Sequence, residues 1–352
     1  MRVLEVTKVT SSSHSPRSAA DFSLPLTFLD TFWDPPQTQN APAQNPPQFP
    51  PPTGNLTWPS PDVAKPIIRY APNDGVSFTV AESNGDFDRL SGHQAYEANK
   101  SHHLVPPLKV SDDTASIIAL QVSLFLNKGF CIGITTHHTV LDGKSTAMFV
   151  KACVHICRQG EEGNSSTTLP IEYTPFFDRS VIKEPSGLDI LYLNQWLAVS
   201  LSSDSRSLKV PQNLGVVPQD LVRETFQLTR ENIKILREMV VSKWDKSKPP
   251  IHLSTFVLTM AYTTTFKKLS DETKDMEKGQ ILAGEENKLS SILGLAKESA
   301  GSSQFIGVAG SPLFNVYESD FGWGKPKMVE IVSIDRTQAI SLTESADGSG
   351  GV

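Results

Sequence analysis

The chain has 352 residues and a formal net charge of −6, with acidic and basic side chains interspersed along its length. Such a length exceeds one ordinary hydrophobic core and makes two packed units the starting expectation. No Lys/Arg block offers the electrostatic footprint that a nucleic-acid backbone or an anionic membrane requires, and no apolar run is long enough to cross a bilayer, so neither partner is expected.

Residues 1–6 alternate apolar and polar side chains, which predicts a strand and not a signal peptide. Residues 35–61 are dense in Pro, Gln and Asn. Proline removes amide donors and the composition buries little apolar surface, so the stretch is expected as an irregular insert, neither a buried helix nor a central strand. Residues 67–70 and 76–80 read as strands, and Asn73-Asp74-Gly75 between them predicts a hairpin. A second antiparallel pair is expected from 117–126 and 130–135 across Asn127-Lys128-Gly129, running towards His137. Residues 143–157 carry Ala147, Met148, Val150 and Val154 at helical spacing, which predicts a strand–turn–helix unit. Cys153 and Cys157 lie four apart on that helix, as two metal ligands could. Nothing nearby supplies two more ligands, and free cysteine behaves as a small buried hydrophobe, so no metal is expected. With Cys131 they are the three cysteines of the chain, too few for a disulfide framework, and they fit a reducing, cytoplasmic address.

Residues 169–217 lack sustained periodicity and predict a crossover between an N-terminal unit, 1–168, and a C-terminal unit, 218–352. A strand is expected over 221–228, then Thr229 as N-cap of a helix running towards Trp244. Another helix is expected over 253–268 with Ser254 near its start. The charged, Gly/Ser-rich stretch 271–303 holds at most one short amphipathic helix, around Leu289, Ile292, Leu293 and Leu295. Strands are predicted over 314–317, 328–334 and 339–342. A turn signal at 347–351 predicts a further strand that would pair beyond it.

The most informative segment is His137-His138-Thr139-Val140-Leu141-Asp142-Gly143. Histidine has the proton affinity for general base work near neutral pH, and a strand terminus is where such a group is commonly displayed. Asp142, four residues on, can fold back to brace the turn. That spacing alone is common and usually means a capped turn; its context sharpens it. The segment resembles the HxxxD signature of BAHD acyltransferases, and Asp320-Phe321-Gly322-Trp323-Gly324 reproduces the family's DFGWG signature in the expected order. The stretches 24–30 (LPLTFLD), 54–59 (GNLTWP), 174–179 (TPFFDR) and 308–312 (VAGSP) also resemble family segments, most closely those of flavonoid and phenolic glucoside malonyltransferases.

The resemblance implies an α/β fold of two chloramphenicol-acetyltransferase-like domains, each a mixed sheet with helices, and an active-site channel between them. It implies a monomeric enzyme that moves an acyl group, malonyl above others, from CoA to a hydroxyl of a flavonoid or phenolic glucoside. His138 would be the general base, with acyl-CoA as co-substrate and no metal or other cofactor. Asp142 would position the turn by pairing with an arginine, His137 and Gly143 would support it, and Asp320, Phe321, Gly322, Trp323 and Gly324 would shape the channel wall without touching the reacting atoms.

Three departures accompany the resemblance. The insert stands where the family carries a helix and strand, the arginine-bearing segment and Tyr-Phe-Gly-Asn-Cys motif expected after Lys268 are missing, and the family chain continues past 347–352. Together they imply impaired activity in this form. Two alternatives follow: a non-catalytic remnant that binds CoA esters or a partner, and an enzyme like peptide-synthetase condensation domains, whose HHxxxDG pattern His137 to Gly143 also satisfies. The DFGWG match and the lack of carrier-protein modules argue against the latter.

Overall fold

A computed structural model describes residues 1–10, 22–27, 53–59, 65–71, 73–161, 169–176, 178–182, 187–199, 207–209, 217–245, 247, 251–263, 307–336, 339–348 and 351–352. Four strands, β1 (Arg2–Thr10), β5 (Gly75–Glu82), β8 (Ile118–Phe125) and β9 (Gly129–Thr136), form a mixed sheet in the order β1-β5-β8-β9. β1 is antiparallel to β5, β5 parallel to β8, and β8 antiparallel to β9. A second, antiparallel sheet runs β2 (Phe22–Pro25), β4 (Ile67–Tyr70), β3 (Asn55–Thr57) and β7 (Thr114–Ser116). One core joins the two: Leu24, Leu56 and Ile68 from the second sheet meet Val76 and Ile118 of the first, with Leu26 just past β2 and Ile117 just before β8.

The β8–β9 hairpin stands as expected, with Asn127 in the left-handed conformation (φ 57°) that its short polar side chain tolerates. The expected hairpin of 67–70 with 76–80 does not form. Asp74 and Ala71 exchange hydrogen bonds in a real turn, but the turn hands the chain from one sheet to the other, because Ile68 and Val76 bury more by facing a shared core than by pairing. The insert is also shorter than expected at its C-terminal end: β3 is a central strand, flanked by β4 and β7, with Leu56 1% exposed. Its three residues fall in a gap free of proline, so all their amides are available to the ladder. Residues 35–52 lie outside the described residues, as do the expected helix around 289–295 and the end of the helix predicted over 253–268.

The helix expected after His138 is α3 (Gly143–Glu161), preceded in the chain by two single-turn helices, α1 (Phe87–Leu90) and α2 (Asn99–His102), and a short strand β6 (Tyr96–Glu97). A helix also occupies the supposedly aperiodic crossover, α4 (Leu188–Val199). It is rich in apolar residues that do not keep to one face, with Leu188, Tyr192 and Leu193 buried but Leu191 exposed, so no one-sided stripe betrays its period. Only Val222–Arg223 of the predicted strand 221–228 is laddered, as β10 against β6. Thr229 caps α5 (Arg230–Lys243) in a reciprocal capping box with Asn232, and Ser254 accepts the amide of Val257 at the start of α6 (Thr255–Thr263).

Of the three late strands, only the last forms: β12 (Ile340–Ser341) pairs in parallel with β11 (Val308–Ala309). Residues 316–318 and 332–336 are 3₁₀ turns. Among the described residues neither stretch has a neighbouring strand to pair with, and Asn315 (φ 49°) turns the chain away from extension. The last residue is itself tied down, since Leu228 and Val352 exchange both backbone hydrogen bonds.

Candidate active site

Gly129 to Thr136 make β9 a rigid strand, and His137 ends it by donating its amide to the carbonyl of Ile117. The His137 carbonyl then accepts the amides of Val140 and Leu141, which closes a tight turn. Val140 and Leu141 pack against the shared core, so the motif is rooted by its apolar pair while His138 just before them stays exposed. Asp142 is the N-cap of α3: its Oδ1 accepts the amide of Ser145 at 2.7 Å, and its carbonyl accepts that of Thr146. The expected arginine is not its partner among the described residues; the carboxylate satisfies a helix terminus instead. Gly143 opens α3, and the ring of Phe314 lies so close that a Cβ there would sit 2.9 Å from it.

His137 differs in kind from its neighbour. Its Nδ1 is enclosed without a hydrogen-bond partner among the described residues, and burial, helped by the adjacent His138, pushes the imidazole down to about 4. It is therefore neutral at physiological pH and unable to act as a charged group there. Cys153 on α3 is held as a thiol by burial, pushed up to about 11, whereas Cys157 is exposed, against the expectation that both are buried. No group of three or more His, Cys, Asp or Glu side chains gathers as a metal site among the described residues.

The DFGWG segment folds around Asp320, whose Oδ1 accepts the amides of Gly322 (2.8 Å) and Gly324 (2.9 Å). Those bonds hold its carboxyl below the usual range. They also require the positive φ of both glycines, 104° and 99°. Trp323 stacks on Phe321 and meets Phe130 edge-on at 5.6 Å. Phe130 stands at the start of β9 and the histidine pair beyond its end, about 25 Å apart at roughly 3.3 Å per residue. The two signatures therefore grip opposite ends of one strand.

β9 is braced between those ends too, by a segment that sequence reasoning did not single out. Residues 103–106 cross it: a Cβ at Gly133 would lie 1.9 Å from the Leu104 carbonyl oxygen, Pro106 accepts the hydroxyl of Thr135, and buried Gln121 donates to the His103 carbonyl. Gly133 was the available signal, a glycine in the middle of a strand, which often marks close approach of another backbone.

Residues 48–215 match the Transferase family. The chain is 35% identical to the malonyl-CoA:anthocyanidin 5-O-glucoside-6''-O-malonyltransferase of Arabidopsis thaliana, covering 100% of this chain and 93% of that protein. It is likewise 35% identical to phenolic glucoside malonyltransferase 1 of Arabidopsis thaliana, with the same coverage. The first alignment spans 435 positions against 352 residues, so about 83 positions of the relative face gaps here. In the crystal structure of vinorine synthase the fold recurs, with a TM-score of 0.59 at 15% identity over 99% of this chain and 92% of that one. Full-length likeness to plant acyltransferases decides between the two readings of the histidine motif: the chain belongs to the BAHD acyltransferase family.

Proposed function

We propose that the chain transfers a malonyl group from malonyl-CoA to a sugar hydroxyl of a flavonoid or phenolic glucoside, with His138 as general base. The observation that carries this reading is the posture of His138, exposed at the end of a braced strand on a turn rooted in the core. The relatives named for malonyl transfer to anthocyanidin and phenolic glucosides supply the donor and acceptor class.

In this mechanism the imidazole takes the proton of the acceptor hydroxyl as its oxygen attacks the thioester carbonyl. The tetrahedral oxyanion collapses, the carbon–sulfur bond breaks, and the departing CoA thiolate recovers the proton from the imidazolium. Atoms and charge balance without a covalent enzyme intermediate, and acyl-CoA is a co-substrate, with no metal or other cofactor invoked. The reading includes a monomer in the cytoplasm, built of units 1–168 and 218–352 joined by 169–217, with the reaction in the channel between them. Among the described residues no helix is long and apolar enough to cross a membrane.

The test is release of CoA thiol from malonyl-CoA in the presence of flavonoid or phenolic glucosides. His138→Ala is expected to lower kcat by about 10³-fold with KM for malonyl-CoA little changed, and His137→Ala to cost far less. Equal losses in both variants would overturn the assignment.

A further inference from the structure

Away from the histidine motif, five titratable side chains from distant parts of the chain meet in one mostly buried cluster. Tyr96 of β6 donates its hydroxyl to the Glu330 carboxylate, whose oxygens lie 2.6 and 2.5 Å away. Arg223 of β10 lies between two carboxylates, 2.6 Å from Asp335 Oδ1 and 3.7 Å from Glu330 Oε2. His102, at the end of α2, places Nε2 2.8 Å from the other Asp335 oxygen. Arg223 and Asp335 are only 9% and 5% exposed as side chains, so the charges hold one another in place of water.

Two arms of the cluster lead to β9 and a third to the start of α3. His102 is followed directly by the 103–106 segment that lies against Gly133 and Thr135. Glu330 comes near enough to Cys131 of β9 to add to the burial that pushes that thiol up to about 11. Next to Glu330, the Val329 amide donates to the Tyr317 hydroxyl, and three residues before Tyr317 is Phe314, packed on Gly143.

We infer that Tyr96, Glu330, Arg223, Asp335 and His102 are positioning residues that fix β9 and the Phe314 wall, and so set where the imidazole of His138 stands. The inference rests on the transferase reading for its catalytic consequence. Its structural content stands apart from turnover. The cluster ties the 96–102 region of the N-terminal half to 223 and 330–335 of the C-terminal half; although Arg223 Nε is enclosed without a partner among the described residues, its directional charge-assisted bonds resist sliding between halves in a way an apolar seam does not.

The experiment compares Tyr96→Phe, which keeps the ring and removes only its hydroxyl donor, with Arg223→Met, and with Thr229→Ala, which removes an N-cap of α5 outside the cluster. Amide hydrogen exchange is followed over 130–146 and 310–318, and the His138 ring resonance is followed by NMR in protein with ¹³C-labelled histidine. The cluster variants are expected to raise exchange in both segments by about tenfold and to shift the His138 resonance, with Thr229→Ala leaving both unchanged. Glu330→Gln, which still accepts from Tyr96, is expected to restore more of the native pattern than Glu330→Ala. Where turnover is measurable, kcat should fall with KM for malonyl-CoA unchanged. Native exchange and resonance in Tyr96→Phe, or equal changes in Thr229→Ala, would overturn the inference, and Tyr96→Phe decides it if Arg223→Met does not fold. Loss of turnover in every protein, with the exchange pattern as expected, would count against the transferase reading alone.

Discussion

Asp142 holds the first turn of α3 through a hydrogen bond from a backbone amide, a role that an amide side chain can also fill. Asp142→Asn is therefore expected to change stability by less than about 0.5 kcal/mol in a urea titration, whereas Asp142→Ala should lose about 1 kcal/mol with its cap. A loss above about 2 kcal/mol for the asparagine variant would reveal a buried cation that depends on the carboxylate. His137 gives the complementary prediction in pH. Its imidazole is pushed down to about 4 in the folded chain, so between that value and an unfolded value of roughly 6.5 the unfolded chain binds more protons. Its contribution is complete above the unfolded value and is lost as pH falls through that window. Between pH 7.5 and 5 the native protein should lose on the order of 1–2 kcal/mol through this group, and His137→Gln should flatten that part of the profile. An unchanged slope would show that His137 protonates freely in the native state.

β9 gains its rigidity from what crosses it, and Gly133 is where the crossing is closest. Gly133→Ala is expected to cost about 2 kcal/mol or more, because its Cβ would meet the backbone of Leu104, which cannot rotate away as a side chain could. A melting temperature within about 2 °C of the native protein would show that 103–106 rests loosely on the strand. At this scale the sequence was readable where the signal is local. Asn127-Lys128-Gly129 made a hairpin, Thr229 and Ser254 capped helices, and the spacing of Ala147, Met148, Val150 and Val154 made α3. It was unreadable where partners decide. The stretch 328–334 has strand-like residues and finds no ladder among the described residues, α4 spreads its apolar residues over more than one face and shows no period, and Asn73-Asp74-Gly75 turned the chain between sheets that share one core. The same division runs through the site. His138 and Asp142 stood out by motif, while the Arg223 cluster joins residues more than a hundred positions apart that no local pattern connects.

Across the whole molecule, the first sheet ends in a strand that nothing in the described residues covers. Val3, Leu4, Val6 and Val9 of β1 are each about half exposed, and the outer edge of β1 has no ladder partner there. Arg2, Glu5 and Lys8 interrupt the apolar series, and Arg2 pairs with Glu82 beside it, which blunts the edge without closing it. In the alignment with the anthocyanidin glucoside malonyltransferase about 83 positions of that relative face gaps here, and a domain's margin of only about 5–15 kcal/mol leaves little room for lost packing surface. On the proposed mechanism His138 must stand within hydrogen-bond reach of the acceptor, so a loosened scaffold costs rate before it costs the residue. The purified chain is therefore expected to bind an apolar dye, to scatter light on standing, and to release CoA from malonyl-CoA at a rate about tenfold or more below that of the Arabidopsis phenolic glucoside malonyltransferase assayed beside it. Val6→Lys, which places a charge in the middle of the open strand, should reduce the scattering and leave the rate as it was. A monodisperse chain with His138-dependent turnover equal to that relative's would show that the missing positions belong to surface loops and that β1 is sufficiently protected as it stands.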